Sequence, residues 1–271
     1  IFKEFCMPRS ALRIIQISDI HLFAEGDREL LGVNTRKSFH AVLDQLRLDP
    51  VHPQMIILSG DLSQDGSEAS YRYLAQQLKE FKVPVYYVPG NHDDAKVMLR
   101  VYPDENISGH KHIVLKEWQI ILLDSHKPKA VEGYLDPSQL HYMQHCLQTY
   151  PEHRAIVVFH HQPVPMSSLW LDQVGLTNAE EFWAVAANFP ALTTVLFGHV
   201  HQLKEGKRNG IKYYSTPATC FQFKGQSDQF GLEKLAPGYR WLDLYPDGEM
   251  KTDICRVPQY IGNFDESSEG Y

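Results

Sequence analysis

The feature that most restricts the architecture of this chain is a recurrence. Five apolar, strand-like runs each end in a short polar cluster. LRIIQIS leads into Asp19-Ile20-His21, MIILS into Gly60-Asp61, and VPVYYVP into Gly90-Asn91-His92-Asp93. AIVVF leads into His160-His161, and TTVLF into Gly198-His199-Val200-His201. Strands that run parallel in one sheet bring their C-terminal ends to a common edge, so residues distant in sequence meet in one crevice. The crevice then gathers two carboxylates, a side-chain amide and at least four imidazoles, with no thiolate among them. Nitrogen and oxygen donors of this kind suit a pair of hard or borderline cations such as Mn, Fe or Zn.

Hydrophobic periodicity orders the elements around these clusters. Strands are expected at 12–17, 55–59, from Pro84 to Val88, 155–159 and 193–197, with helices near 34–47, 67–81, 94–101, 137–149 and 179–188. Asn34 and Ser67 are the expected N-caps of the first two helices. Segments 112–116 and 119–124 form a hairpin turning at Glu117-Trp118, and strands near 211–215, 219–223, 239–245 and 249–255 follow. The stretch 162–178 has neither helical nor strand period and reads as a long functional loop. Crossover units imply parallel strands and hairpins imply antiparallel ones. The expected fold is α/β: two mixed β-sheets packed as a sandwich, flanked by helices, in one domain over residues 1–271.

Composition narrows the partners. The net charge is −7 and no basic run occurs, which argues against nucleic acid as a partner. The acidic tail Asp265, Glu266 and Glu269 reads as a solvated end. Cys6, Cys146, Cys220 and Cys255 are far apart and fit reduced thiols better than disulfides. The first 18 residues mix Lys3, Glu4, Arg9 and Arg13 with apolar ones, unlike a signal peptide. No run approaches the roughly 20 apolar residues of a membrane span. The expected location is cytoplasmic, with no membrane partner.

The ordered set D-x-H, GD, GNHD, H-x-x-P and GHxH over residues 19 to 201 resembles the calcineurin-like metallophosphoesterase superfamily. That resemblance implies a role for each residue. Asp19, His21 and His201 would hold one metal ion, Asn91, His160 and His199 the other, and Asp61 would bridge them. His160, rather than His161, fits the ligand position, and His161 would pack or touch substrate. His21, Asp61, Asn91, His92, His160 and His201 would face the bound phosphodiester. Asn91 in place of a third carboxylate leaves the ion pair a residual positive field for that anion. The metals would lower the pKa of a shared water for in-line attack on phosphorus, and His92 would assist the leaving oxygen as the catalytic imidazole beside Asp61. Asp65 is the expected carboxylate partner of His92. A simple extended strand would put Asp19 and His21, two apart, on the same side.

Further stretches, LLGVNTRKS, GDLSQDGSEASY, WLDQVGLTNAEE, TPATCFQF and LAPGYRWLDL, resemble the bacterial class III 3′,5′-cyclic-AMP phosphodiesterases. The implied reaction is hydrolysis of cyclic AMP to 5′-AMP, with two Fe and/or Mn ions, or Zn, as cofactors. Trp170, Phe221 and Phe223 are candidates to stack on adenine or, equally, to fill the core, and Asn178 is a candidate to reach the nucleotide. The alternatives are a phosphodiesterase acting on glycerophosphodiesters or other diesters, and a catalytically silent scaffold of the same fold. A nuclease is disfavoured because no basic groove is legible.

Overall fold

Why each strand run is apolar on both faces becomes clear from the layers in which it lies. The computed structural model describes residues 11–104, 106–259, 262–263, 268 and 270. Cys6, the N-terminal charges Lys3, Glu4 and Arg9, and the tail residues Asp265, Glu266 and Glu269 lie outside the described residues.

Strand β1 (Leu12–Ile17) is followed by a small hairpin, β2 (Glu29–Leu30) and β3 (Val33–Asn34), and by helix α1 (Thr35–Arg47). Then come β4 (Met55–Ser59), α2 (Glu68–Leu78), β5 (Val85–Val88), α3 (Ala95–Val101) and β6 (Ile107–Ser108). The hairpin β7 (His112–Leu115) and β8 (Trp118–Leu122) precedes α4 (Pro137–Thr149) and β9 (Arg154–Val158). Short α5 (Leu169–Asp172), α6 (Ala179–Ala186) and β10 (Leu192–Phe197) follow. The chain continues with β11 (Glu205–Arg208), β12 (Ile211–Ser215), β13 (Gln222–Phe223), β14 (Leu232–Glu233), β15 (Gly238–Leu244) and β16 (Met250–Arg256).

Two six-stranded mixed sheets result, in the orders β16-β15-β1-β4-β5-β6 and β11-β12-β10-β9-β8-β7. In the first, β1, β4, β5 and β6 run parallel and β15 pairs antiparallel with β1. In the second, β8, β9, β10 and β12 run parallel, edged by antiparallel β7 and β11. The expected sandwich of mixed sheets flanked by helices is the observed architecture.

Side-chain alternation, period two, divides each strand between two cores. Ile15, Ile17, Ile56 and Leu58 face the cluster that includes Phe39, Leu43, Tyr71 and Leu74 of α1 and α2. Ile14, Met55 and Ile57 face the opposite way, onto Ile156, Val158 and Leu196 of the second sheet. Val157 and Phe197 in turn face Met143 and Phe182 of α4 and α6. Near the C-terminal ends of the strands a buried polar clamp crosses the sandwich: Gln16 Nε2 donates to Ser59 Oγ at 2.9 Å and to Phe197 O at 3.2 Å.

Caps behave as the sequence indicates. Asn34 accepts from Lys37 N and Ser67 from Ser70 N. The second helix ends sooner than expected: 79–81 tightens to a 3-10 turn and Lys82 takes a left-handed conformation. The 112–122 hairpin turns one residue earlier, with Lys116 at φ 46° and Trp118 already in strand. The expected strand at 219–223 is strand only at Gln222–Phe223, because the backbone before it serves other loops: Thr219 N bonds Ser18 O and Phe221 O accepts from His201. The two-residue strands and β11 carry too short a pattern to be seen in sequence. Truncating the inter-sheet contact, Ile57→Ala, is expected to cost about 2–5 kcal/mol of stability, measured as a shift in urea midpoint at unchanged slope.

Candidate metal centre

The loops that follow β1, β4, β5, β9 and β10 meet at one edge of the sandwich and are tied to each other by backbone hydrogen bonds. Asp19 N donates to Gly60 O, Ile20 N and His21 N both donate to Asp61 O, and Gly198 N donates to His160 O. Two of the loops share a geometry that local sequence does not reveal. Asp19 and His21 have φ of 54° and 52°, and His199 and His201 have φ of 69° and 44°. Asp61 is also left-handed, at 51°. The expected extended strand at Asp19 and His21 is therefore wrong: each D-x-H or H-x-H trio is a turn with both outer residues left-handed. The middle residues, Ile20 and Val200, are fully buried in the helix-side cores of the two sheets and pin the turns. Such conformations cost on the order of 1–3 kcal/mol per non-glycine residue and persist where surrounding structure enforces them.

Glycine is required where the loops press closest. Gly60 has φ +97° and a Cβ there would strike the His160 ring; a Cβ on Gly90 would strike Asp61.

Six of the nominated side chains, Asp19, His21, Asp61, His160, His199 and His201, lie against one another. Asp19, His21, Asp61, His160 and His201 are at most 1% exposed, and His199 is 6% exposed. Asp61 Oδ2 lies 3.2 Å from His160 Nε2 and 3.8 Å from His21 Nε2. His201 Nε2 is 3.4 Å from Asp19 Oδ1 and 3.2 Å from His21 Nε2, and His199 Nδ1 is 3.3 Å from His160 Nε2. Two subsets are thus adjacent, Asp19/His21/His201 and His160/His199, with Asp61 reaching an imidazole of each. His92 donates its backbone N–H to Asp61 Oδ1 at 2.9 Å and meets the His21 ring edge-on at 5.0 Å.

Hydrogen bonds on the far side of the rings decide which nitrogen faces the centre. His160 Nδ1 pairs with Ser59 O at 2.8 Å, His201 Nδ1 with Phe221 O at 2.9 Å, and His21 Nδ1 with Gln64 Oε1 at 2.6 Å. Nε2 of each ring is left as the inward donor atom, the arrangement by which outer hydrogen bonds orient imidazole ligands.

Charge in the centre is polarised. Burial raises the Asp61 carboxyl, but the His160 and His92 imidazoles outweigh it and hold the acid well below its usual range. Burial raises Asp19 and His201 lowers it, with the same net direction. Burial lowers His160 and His201, yet the facing carboxylates, Asp61 and Asp19 respectively, push them up to about 9 and about 10. His21 and His199 are held down to about 3, chiefly by burial. Two buried carboxylates thus demand positive charge between them, the demand that cations meet. The donor atoms fit as well: Asn91 Oδ1 is buried without a hydrogen-bond partner, and several groups of three carboxylate and imidazole donors each fall within 4.8 Å of one another.

Several residues outside the nominated set shape the centre. Asp93 accepts from the backbone N–H of Leu62, Ser63 and Gly90 and from Tyr71 Oη, clamping the 60–63 and 90–93 loops together. Burial and the neighbouring Asp61 charge push this acid up to about 7 against those donors. Its place inside the Gly90–Asp93 cluster was the signal that could have found it. Cys220, noted in the sequence only as a free thiol, lies on the Nδ1 side of His201 and donates to Asp19 O at 3.3 Å. Its thiol is pushed up by burial, so it supports the centre from behind as a neutral group.

Other expectations are corrected. Asp65 accepts from Ala24 N, Ser63 Oγ and Ser67 N, and so fastens the loops rather than orienting His92. His161, expected to pack or to touch substrate, takes the first of these roles, with its ring nitrogens engaged by Ser125 Oγ and Val131 O. Asn178, expected to reach the nucleotide, brackets Leu135 through the N–H and C=O of that residue and is not among the residues that line the cleft. Phe221 is fully buried and stacks behind His201, whereas Trp170 and Phe223 line a cleft of about 860 Å³ together with Asn91, His92 and His199.

Residues 12–203 match the family model for calcineurin-like phosphoesterases. Over 261 residues the chain is 40% identical to a 3′,5′-cyclic adenosine monophosphate phosphodiesterase, CpdA, of Escherichia coli K12, covering 96% of this chain and 95% of that one. It is 37% identical to a 3′,5′-cyclic-nucleotide phosphodiesterase of Nostoc sp., covering 91% and 93%. Among solved structures, a dimetal phosphatase from Danio rerio superposes with a TM-score of 0.66 at 13% identity, covering 92% of this chain and 99% of that one, a likeness of fold.

Replacing Gly90 by Ala forces Asp61 aside. The variant is expected to bind less metal than the parent at equal cation concentration, read by elemental analysis, while its far-ultraviolet circular dichroism stays unchanged.

Proposed function

The chain belongs to the calcineurin-like phosphoesterase family, and on that premise we propose that it hydrolyses 3′,5′-cyclic AMP to 5′-AMP at a dinuclear metal centre. The identity to cyclic-AMP phosphodiesterases extends over nearly the whole chain. The observation that carries the reading is Asp61: one of its oxygens lies close to an imidazole from each half of the donor set.

In this proposal Asp19, His21 and His201 would hold one ion and Asn91, His160 and His199 the other, with Asp61 placed to serve both sets. When bound, such a pair lowers the pKa of a water and neutralises charge developing on the phosphoryl oxygens. The nitrogen and oxygen donors suit iron and manganese, with zinc also compatible. His21, Asp61, Asn91, His92, His160 and His201 surround the substrate phosphodiester. Asn91 positions that anion without adding negative charge to a centre that already carries two carboxylates.

Attack by the oxygen of a water forms a new bond to phosphorus and breaks the bond to the 3′ oxygen, which needs a proton as it leaves. His92 supplies it. Its backbone is fastened to Asp61 and it lines the cleft, so the imidazole is anchored beside the reacting phosphoryl group. Asp93, through the loop it clamps, keeps His92 and Asn91 in register with Asp61.

The described residues form one domain in this reading. Cys146, Cys220 and Cys255 are free thiols, which suits the reducing cytoplasm. Among the described residues no helix is long and apolar enough to cross a membrane.

Two outcomes are expected. His92→Ala lowers kcat for cyclic AMP by roughly 10²–10⁴-fold with metal content retained, whereas Asp61→Ala loses both turnover and bound metal. In steady-state assays on the parent enzyme, cyclic AMP is turned over faster than bis(p-nitrophenyl) phosphate; the reverse order would refute the cyclic-nucleotide assignment.

A further inference from the structure

The lining of the cleft beside the metal centre includes, among aliphatic and other polar residues, two groups of side chains with distinct chemistry. One is polar: Asn91, His92 and His199. The other is aromatic: Trp170, Phe223 and Phe230. The three aromatic rings meet edge to face, with centroids 5.0 Å apart for Trp170–Phe223, 5.2 Å for Trp170–Phe230 and 5.5 Å for Phe223–Phe230. Phe223 also stacks on the His201 ring at 4.3 Å, so this wall starts directly behind the donor set.

Charge decides which end of a substrate goes where. No Lys or Arg lines the cleft among the described residues, and Asp228 places a carboxylate in its lining. An anion is therefore drawn to the metal end alone. What remains of a cyclic nucleotide once its phosphodiester is placed is a ribose and a flat, uncharged base, and the aromatic wall is the surface that matches it. Phe223 is 2% exposed and has little face to offer, whereas the Trp170 ring is half-buried.

Trp170 is also held on a rigid mount. It sits in α5, whose neighbour Leu171 is anchored in the core at 1% exposure. Gln162 Nε2 donates to Leu171 O at 2.7 Å, Asp172 Oδ1 accepts from Met166 N at 2.6 Å, and Ser168 Oγ accepts from Ser227 N at 3.2 Å. These bonds cross the 162–178 segment and join it to the loop that carries Asp228 and Phe230. A ring fixed in this way loses little entropy when a base stacks on it.

We infer that Trp170 is the specificity-determining residue that receives the nucleobase, while the phosphodiester lies at the metal end. The inference rests on the proposed activity and deepens it.

The test is a cycle of two changes: Trp170→Ala in the metal-loaded enzyme, and removal of the base from the substrate, using 1-methyl riboside 3′,5′-cyclic phosphate beside cyclic AMP. Base stacking of ordinary strength predicts that the parent enzyme loses about tenfold in kcat/KM when the base is removed, mostly through KM. The variant loses about tenfold on cyclic AMP and almost nothing on the base-free substrate, and Trp170→Phe recovers most of the loss. Equal losses by the variant on both substrates would overturn the inference, since a purely structural ring affects both alike. Failure of the parent enzyme to hydrolyse either cyclic substrate would instead refute the proposed activity, and the inference with it.

Discussion

Two deeply buried carboxylates, Asp19 and Asp61, are the constraint to which the rest of this molecule answers. Burying an ionised acid is costly unless it is paired and hydrogen-bonded. Asp19 accepts from the His199 backbone at 3.0 Å and faces His201; Asp61 accepts from the His92 backbone and faces His160. Each acid is thus satisfied by a loop other than its own. Carboxylates placed this way act as bolts between the sheets, and they hold the imidazoles close enough for a shared cation site.

The same economy appears in the backbone. Left-handed turns at Asp19–His21 and at His199–His201 are strained, and what stabilises them is the burial of Ile20 and Val200 on opposite outer faces of the sandwich. The strain and its compensation belong to different layers. A local change in either helix-side core would therefore be felt at the centre. Gly60 and Gly90 allow the loops to approach until Asp61 touches its partners.

Much of the fold was legible because β-strand periodicity is local. The runs at 12–17, 55–59 and 155–159 matched the observed strands to within a residue, and Asn34 and Ser67 cap their helices as read. Expectations failed where a long-range bond overrode a local pattern. Residues 219–221 have strand-like composition, yet their backbone is drawn to Ser18 and His201. Asp65 was the expected partner of His92 from its place four residues after Asp61, but its oxygens accept from Ala24, Ser63 and Ser67.

The donor types of the centre, their order and the strand ends that carry them can be read from the chain alone, since these are properties of single residues and their neighbours. The left-handed turns, the choice of inward ring nitrogen, the clamp at Asp93, and the separation of buried Phe221 from cleft-lining Trp170 emerge from the folded chain. Those features are set by contacts between segments up to about two hundred residues apart, as between Cys220 and Asp19. No local pattern encodes which distant carbonyl a ring nitrogen will find.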